Sequence, residues 1–203
     1  KNFYFLIMSS VQIFDNFLPE DIYQKVKDRI CGERQPWYYQ SSITNLERDN
    51  PPVDKFGFNF SLKRADEEFG LSDPDIRKTF NVLQEFYLKQ KTVLKKARIL
   101  RTRLDMTTYS KESVIFEPHI DLDDPHLTSI FYVNDSDGNT VIYNQKWHPS
   151  LLPNLGVDEE LTIMEEIEPI GNRLIAFDGY HMHTGHNPSK HSNRILINTN
   201  FAL

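Results

Sequence analysis

Past Ala97 the chain alternates apolar and polar residues in short runs, the period of strands with one buried face. The pattern predicts strands over 99–106, 114–120, 127–134, 140–143, 161–165, 173–177 and 194–201. Asp137-Gly138-Asn139 and Gly171-Asn172 carry turn chemistry between them. The first half reads differently. Ile22, Val26 and Ile30 recur at helical spacing behind Leu18-Pro19-Glu20-Asp21, which predicts a helix start. A second helix is predicted from Ser72-Asp73-Pro74-Asp75, where Ser72 or Asp73 caps and Pro74 fits the first turn. Ile76, Phe80, Leu83, Tyr87 and Leu94 form its buried stripe. Residues 56–62 alternate Phe with small or polar residues and predict another strand, and the apolar run 3–8 reads as one more.

Helices followed by a long run of strands predict an α+β fold, mainly β, with the helices buttressing a sandwich or barrel. No repeat, low-complexity tract or composition break interrupts the 203 residues. One domain over 1–203 is therefore expected, with 1–98 as helical and strand support and 99–203 as the core.

Composition narrows the function classes. Apolar residues at 39% suffice for an ordinary core. A net charge of −6 argues against a dedicated nucleic-acid binder. The one cysteine, Cys31, excludes an intrachain disulfide framework and any cysteine-rich metal site, and reads as an inert thiol. No run reaches the ~20 apolar residues that span a bilayer. Residues 3–8 are too short for a signal core. No membrane association and a cytoplasmic location are expected.

The histidines carry more. The chain has 7, all between His119 and His191. His119 and Asp121 end a predicted strand, where residues two apart share a face. One more histidine, from His181, His183 or His186 in the segment after Phe177, would complete a 2-His-1-carboxylate facial triad. The last predicted strand has two unlike faces. Ile195, Ile197 and Phe201 lie on one; Arg194, Leu196, Asn198 and Asn200 lie on the other. Polar groups on an inward face are costly in a dry core, so that face predicts a polar pocket. Arginine's planar fork suits a small dicarboxylate.

Together these residues resemble the Fe(II)- and 2-oxoglutarate-dependent oxygenases, most of all the prolyl-4-hydroxylase-like subgroup. The order His-x-Asp, distal His, then Arg carries the likeness. Several stretches add to it: Ile13-Phe14-Asp15-Asn16-Phe17-Leu18 near the N-terminus, Tyr132-Val133-Asn134, Gly138-Asn139-Thr140 with one family glycine absent, and Gly171-Asn172-Arg173-Leu174-Ile175-Ala176-Phe177. The resemblance implies a double-stranded β-helix (jelly roll). It implies His119, Asp121 and His183 as iron ligands and Arg194 as partner of the distal carboxylate of 2-oxoglutarate. Tyr109 and Tyr132 match family tyrosines around the cosubstrate, and Asn198 and Asn200 follow Arg194 on its face. The implied activity hydroxylates an unactivated C–H of a peptidyl substrate, prolyl residues included, or of a small molecule. It consumes O2 and releases succinate and CO2, with ascorbate as a candidate reductant. The alternative is a non-catalytic β-helix module that binds metal or ligand. A zinc hydrolase is disfavoured, because Arg194 and its asparagines would lack a role.

The remaining chemistry-bearing residues read as ordinary. His126, His148 and His191 are expected on the surface or in loops, and 146–156 as a plain loop. Asp123 and Asp124 are expected in a turn. Lys89, Lys91, Lys95, Lys96, Arg98, Arg101 and Arg103 read as a solvated face. Trp37, Tyr38 and Tyr39 read as core packing rather than as a substrate platform.

Overall fold

The computed structural model describes residues 11–43, 55–64, 67–68, 74, 78, 98–147 and 160–202. The first elements are β1 (Gln12–Phe14), α1 (Glu20–Cys31), β2 (Tyr38–Gln40), β3 (Gly57–Arg64) and β4 (Glu67–Glu68). Then follow β5 (Ile99–Thr108), β6 (His126–Tyr132), β7 (Thr140–Lys146), β8 (Ile163–Ile167), β9 (Leu174–Asp178), β10 (His181–Gly185) and β11 (Asn193–Ala202).

The strands form two antiparallel sheets. The larger runs β1-β9-β6-β11-β5-β3-β2, with β4 beside β3, and the smaller runs β10-β7-β8. The result is the double-stranded β-helix, a jelly roll. β11 shows how its sequence dictates this packing. Ile195, Ile197 and Phe201 enter a core with Leu18, Tyr23, Val26 and Ile30 from the α1 side. Leu196 turns the other way, into a second core with Ile130, Tyr132, Ile142, Ile175 and Phe177 between the sheets. Each fully buried aliphatic side chain here contributes about 2 kcal/mol of transfer free energy.

The helix is placed by two devices. Pro19 precedes it, Glu20 and Asp21 occupy its first turn and Arg29 its last, matching the helix dipole. Asn172, at a left-handed φ of 65°, then clamps the approach to the helix. Its side chain accepts from Leu18 N–H at 2.8 Å and donates to Leu18 C=O at 2.9 Å. Among the described residues no helix is long and apolar enough to cross a membrane.

Most predicted strands form within a few residues of their expected bounds. Residues 114–120 do not become a strand. They make only isolated bridges, Ile115 with His186 and His119 with His183, and Pro118 has no N–H to give a ladder. The His-rich stretch 181–185, expected only to supply a ligand, is itself a strand. Pro74 and Lys78 aside, the predicted second helix lies outside the described residues, as do 3–8, Lys89, Lys91, Lys95, Lys96 and 148–159.

Three further expectations are corrected. Tyr38 and Tyr39 are exposed; Trp37 packs on the core, and Tyr38 lays its ring on Phe60 from outside, centroids 6.0 Å apart. Tyr39 instead joins Phe56 and Phe58 in a ring cluster with centroids about 6 Å apart, 5.9, 6.0 and 6.1 Å for the three pairs. His126 is no surface residue: it opens β6 fully buried, its Nδ1 bonded to Asp124 C=O at 2.7 Å. Gly179 leaves the room its ring fills.

Candidate metal centre

The inward face of the large sheet builds the site in rows. Register sets Arg101 opposite Asn200 and Asn200 opposite Thr128, across β5, β11 and β6. The next row on that face is Arg103, Asn198 and Ile130; then come Asp105, Leu196 and Tyr132; then Thr107 and Arg194. Arg101 and Arg103 therefore face the site rather than forming a solvated patch. Alternation along β5 puts Leu104 in the core and the charged residues on the polar side.

Asp121 lies on the first row. Its Oδ1 accepts from Arg101 Nη2 at 2.6 Å. Its Oδ2 accepts from Asn200 Nδ2 at 2.9 Å and from Thr128 Oγ1 at 3.2 Å. Asn198 Nδ2 reaches both oxygens, at 3.2 and 3.1 Å. Arg101 Nε also donates to Asn200 Oδ1 at 2.9 Å, which orients the amide that holds Asp121. The Asp121 side chain is 2% exposed. Burial opposes its charge, yet the Arg101 guanidinium, the two nearby histidines and the Asn200 amide hold its carboxyl well below the usual range.

The two histidines arrive as a cross-strand pair. His119 and His183 exchange backbone hydrogen bonds of 3.0 and 2.9 Å, which brings their ring centroids to 4.8 Å. Each ring bonds the carbonyl two residues before it: His119 Nδ1 to Glu117 C=O and His183 Nδ1 to His181 C=O, both at 3.1 Å. A carbonyl only accepts, so both Nδ1 atoms carry the proton and both Nε2 lone pairs are free. Burial pushes His183 down to about 4, against the pull of Asp121, so the ring is neutral at pH 7. His183 Nε2 sits 3.7 Å from Asp121 Oδ2. The ligand atoms of His119, Asp121 and His183 all lie within 4.8 Å of one another, a spacing that suits one cation. Two imidazoles and one carboxylate oxygen are the donor set of a divalent transition metal. His181 and His186 stay outside this group. His181 Nδ1 bonds Tyr143 C=O at 2.8 Å, and His186 faces Ser113.

At the far row Arg194 is buried and, among the described residues, pairs with no carboxylate. Its Nη2 donates to Thr140 Oγ1 at 2.6 Å, and its Nε has no partner. Tyr132 Oη also donates to Thr140, at 2.7 Å, and its ring lies 5.8 Å from Arg194 Cζ. Two glycines make room for the side chain. A Cβ on Gly185 would come within 3.2 Å of Nη1, and one on Gly138 within 3.0 Å of Cδ. Burial pulls Arg194 below its usual value, against Tyr132 and Asp105, but a guanidinium stays charged at neutral pH.

A single cleft of about 530 Å³ reaches His119, His183, Asn198, Thr140, Gly185 and Arg194. A recess of about 280 Å³ shares Ile43, Arg103, Asp105 and Thr107 with it and runs on to Gln40, Phe58 and Asn59. Tyr109 is exposed and is not among the lining residues, and Tyr132 lies beneath them. Asn200 likewise lies below the surface, bonded to Asp121. Sequence reasoning missed Arg101 and Thr128 as neighbours of the carboxylate. The period-two charge pattern of β5 was the available signal for Arg101.

No family model and no curated protein matches the sequence. Solved structures do match its fold. The non-haem α-ketoglutarate-dependent epimerase SnoN from nogalamycin biosynthesis superposes with a TM-score of 0.62 at 9% identity, over 95% of this chain and 78% of that one. A 2OG-Fe(II) oxygenase family oxidoreductase from Burkholderia pseudomallei gives 0.62 at 12% identity, over 95% and 85%. A Pseudomonas putida prolyl-4-hydroxylase gives 0.58 at 13% identity, over 95% and 92%. At such identities the likeness is one of architecture, and the chain shares the double-stranded β-helix of these enzymes.

Proposed function

We propose that this chain is a non-haem Fe(II)- and 2-oxoglutarate-dependent dioxygenase. In this reading it hydroxylates an unactivated C–H of a peptidyl substrate, prolyl residues included, or of a small molecule. One observation carries the proposal. A single cleft is lined by His119 and His183, whose ligand atoms lie within 4.8 Å of Asp121, and, farther along the same sheet face, by a buried arginine with an unpartnered Nε. The names of SnoN and the Burkholderia protein, which cite the same cofactor chemistry, support it.

The residues fit the metal. Both imidazoles are held by carbonyls with Nε2 free, and Asp121 turns Oδ2 toward His183. Bound iron with 2-oxoglutarate and O2 supplies the oxidising chemistry, placing one oxygen atom in the substrate and one in succinate as CO2 leaves. The chain's own part is binding and orientation. His119, Asp121 and His183 would hold the metal. Arg194 would pair with the distal carboxylate of 2-oxoglutarate. Thr140 Oγ1 already accepts from Arg194 and Tyr132, so its own hydrogen is free to donate to the same carboxylate. The recess beyond Arg103 and Asp105 gives the prime substrate an approach that does not cross the Arg194 end.

The test is succinate release from 2-oxoglutarate by the purified chain with Fe(II), ascorbate and O2, without added substrate. Uncoupled turnover that His119→Ala abolishes is the expected result. Tight binding of Mn(II) and 2-oxoglutarate with no succinate would return the non-catalytic binding module.

A further inference from the structure

Charge along the rows is unbalanced. Arg101, Arg103 and Arg194 face the cleft side of the sheet, against two carboxylates, Asp105 and Asp121. Asp105 is committed to Arg103, with Arg103 Nε at 2.7 Å from its Oδ1. Asp121 is committed to Arg101. That face of the sheet is thus cationic in a chain whose net charge is −6. The Arg101–Asp121 pair is the unusual part, because Asp121 is also the sole carboxylate of the candidate metal cluster.

The two oxygens of Asp121 have different jobs. Oδ1 takes the 2.6 Å ion pair, while Oδ2 lies toward His183 Nε2. A cation on Oδ2 would therefore compete with the neutral donors Asn198, Asn200 and Thr128 and not with the guanidinium on Oδ1, so Arg101 need not leave when metal arrives. Its charge does not leave either. A divalent cation at this triad meets a carboxylate already neutralised by a fixed guanidinium, in a largely water-excluded place where charge acts strongly. The metal is held less tightly than a bare His-His-Asp set would hold it, and the loaded site keeps more positive charge.

We infer that Arg101 is an electrostatic positioning residue. It lowers the affinity of the triad for divalent metal and raises the affinity of the loaded site for a dianionic co-ligand. This rests on the metal reading of His119, Asp121 and His183. Row geometry favours such a role over plain scaffolding. Arg101 also orients Asn200, so removing its charge alone leaves three other donors, Asn198, Asn200 and Thr128, on the carboxylate.

The test measures two bindings that a scaffolding role would not move in opposite directions. Isothermal titration gives Mn(II) affinity for the metal-free chain, then 2-oxoglutarate affinity for the Mn(II)-saturated chain. Arg101→Met should bind Mn(II) about tenfold tighter and 2-oxoglutarate about tenfold weaker. Arg101→Gln, which keeps a donor and loses the charge, should shift both the same way and guards against misfolding of the first variant. Arg101→Lys should stay near the parent on both axes. Charge-free variants that bind Mn(II) equally or more weakly, or bind 2-oxoglutarate undiminished, overturn the inference. A separate control isolates its foundation: if His119→Ala binds Mn(II) as the parent does, the triad reading itself fails.

Discussion

The two ends of the cleft each bury a charge and treat it in opposite ways. Asp121 at one end receives donors from β5, β6 and β11, and both oxygens are engaged. Arg194 at the other end donates to a neutral hydroxyl already shared with Tyr132, and among the described residues its Nε has no partner. A buried charge without compensation is expensive. The first end is satisfied as folded, whereas the second keeps an unused donor, which suits the anion proposed for it. The difference separates preorganisation from recognition. The sheet spends its register on holding a carboxylate still, and leaves a guanidinium cradled by Gly138 and Gly185 but unanswered.

The largest expected effect breaks the satisfied end. Asp121→Ala removes the acceptor of four side chains and strands the Arg101 charge beside them. Unfolding in urea should show the metal-free chain destabilised by about 3 kcal/mol, with Mn(II) binding lost in titration. The same operation at the other end should cost far less stability. Arg194→Met removes a cation that the fold does not satisfy, so metal-free stability should move by less than about 1 kcal/mol. Affinity of the Mn(II)-loaded chain for 2-oxoglutarate should instead fall roughly 100-fold, the worth of a charge-assisted pair. Equal losses of stability at the two ends would erase the contrast.

How far each end is legible in the sequence follows from the same difference. Arg194 is readable because β11 alternates cleanly: Ile195 and Ile197 on one face leave Arg194, Leu196 and Asn198 on the other. His119 and Asp121 are readable as a pair by spacing, although the strand expected to carry them is broken at Pro118 and survives only as bridges. The partners of Asp121 are not readable. Arg101 becomes its neighbour through cross-strand register with Asn200, which depends on how residues 99 positions apart align. Charged residues at 101 and 103 suggest solvent until that alignment is known. His126 is hidden for a related reason, since burial at a strand start depends on what packs above it, here Gly179 and Tyr180. Local pattern reveals faces, while pairings across the sheet decide which face becomes the site.

The smallest effect sharpens the comparison at the Arg194 end, where the chain enters β11. Asp137 caps this approach. It accepts from the Ser189 N–H at 3.0 Å, the Ser189 hydroxyl at 2.8 Å, the Lys190 N–H at 2.9 Å, and the His191 N–H at 3.1 Å and Nδ1 at 2.8 Å. Partial burial works against its charge, but the His191 ring and the Ser189 and Lys190 donors outweigh it and hold the carboxyl far below its ordinary 3.8. The unfolded chain takes up this proton first as pH falls. The stabilisation is therefore complete above that ordinary value and fades as pH drops below it toward the folded-state value. Asp137→Asn should lower stability at pH 7 by about 1 kcal/mol, the scale of a lost cap. Paired thermal melts of parent and variant should converge as pH falls below 3.8. A gap that stays constant down to pH 2 would mean that the carboxylate's charge is not what secures the loop. If the loop positions Arg194, the variant should also weaken 2-oxoglutarate binding severalfold while leaving Mn(II) binding at the Asp121 end unchanged.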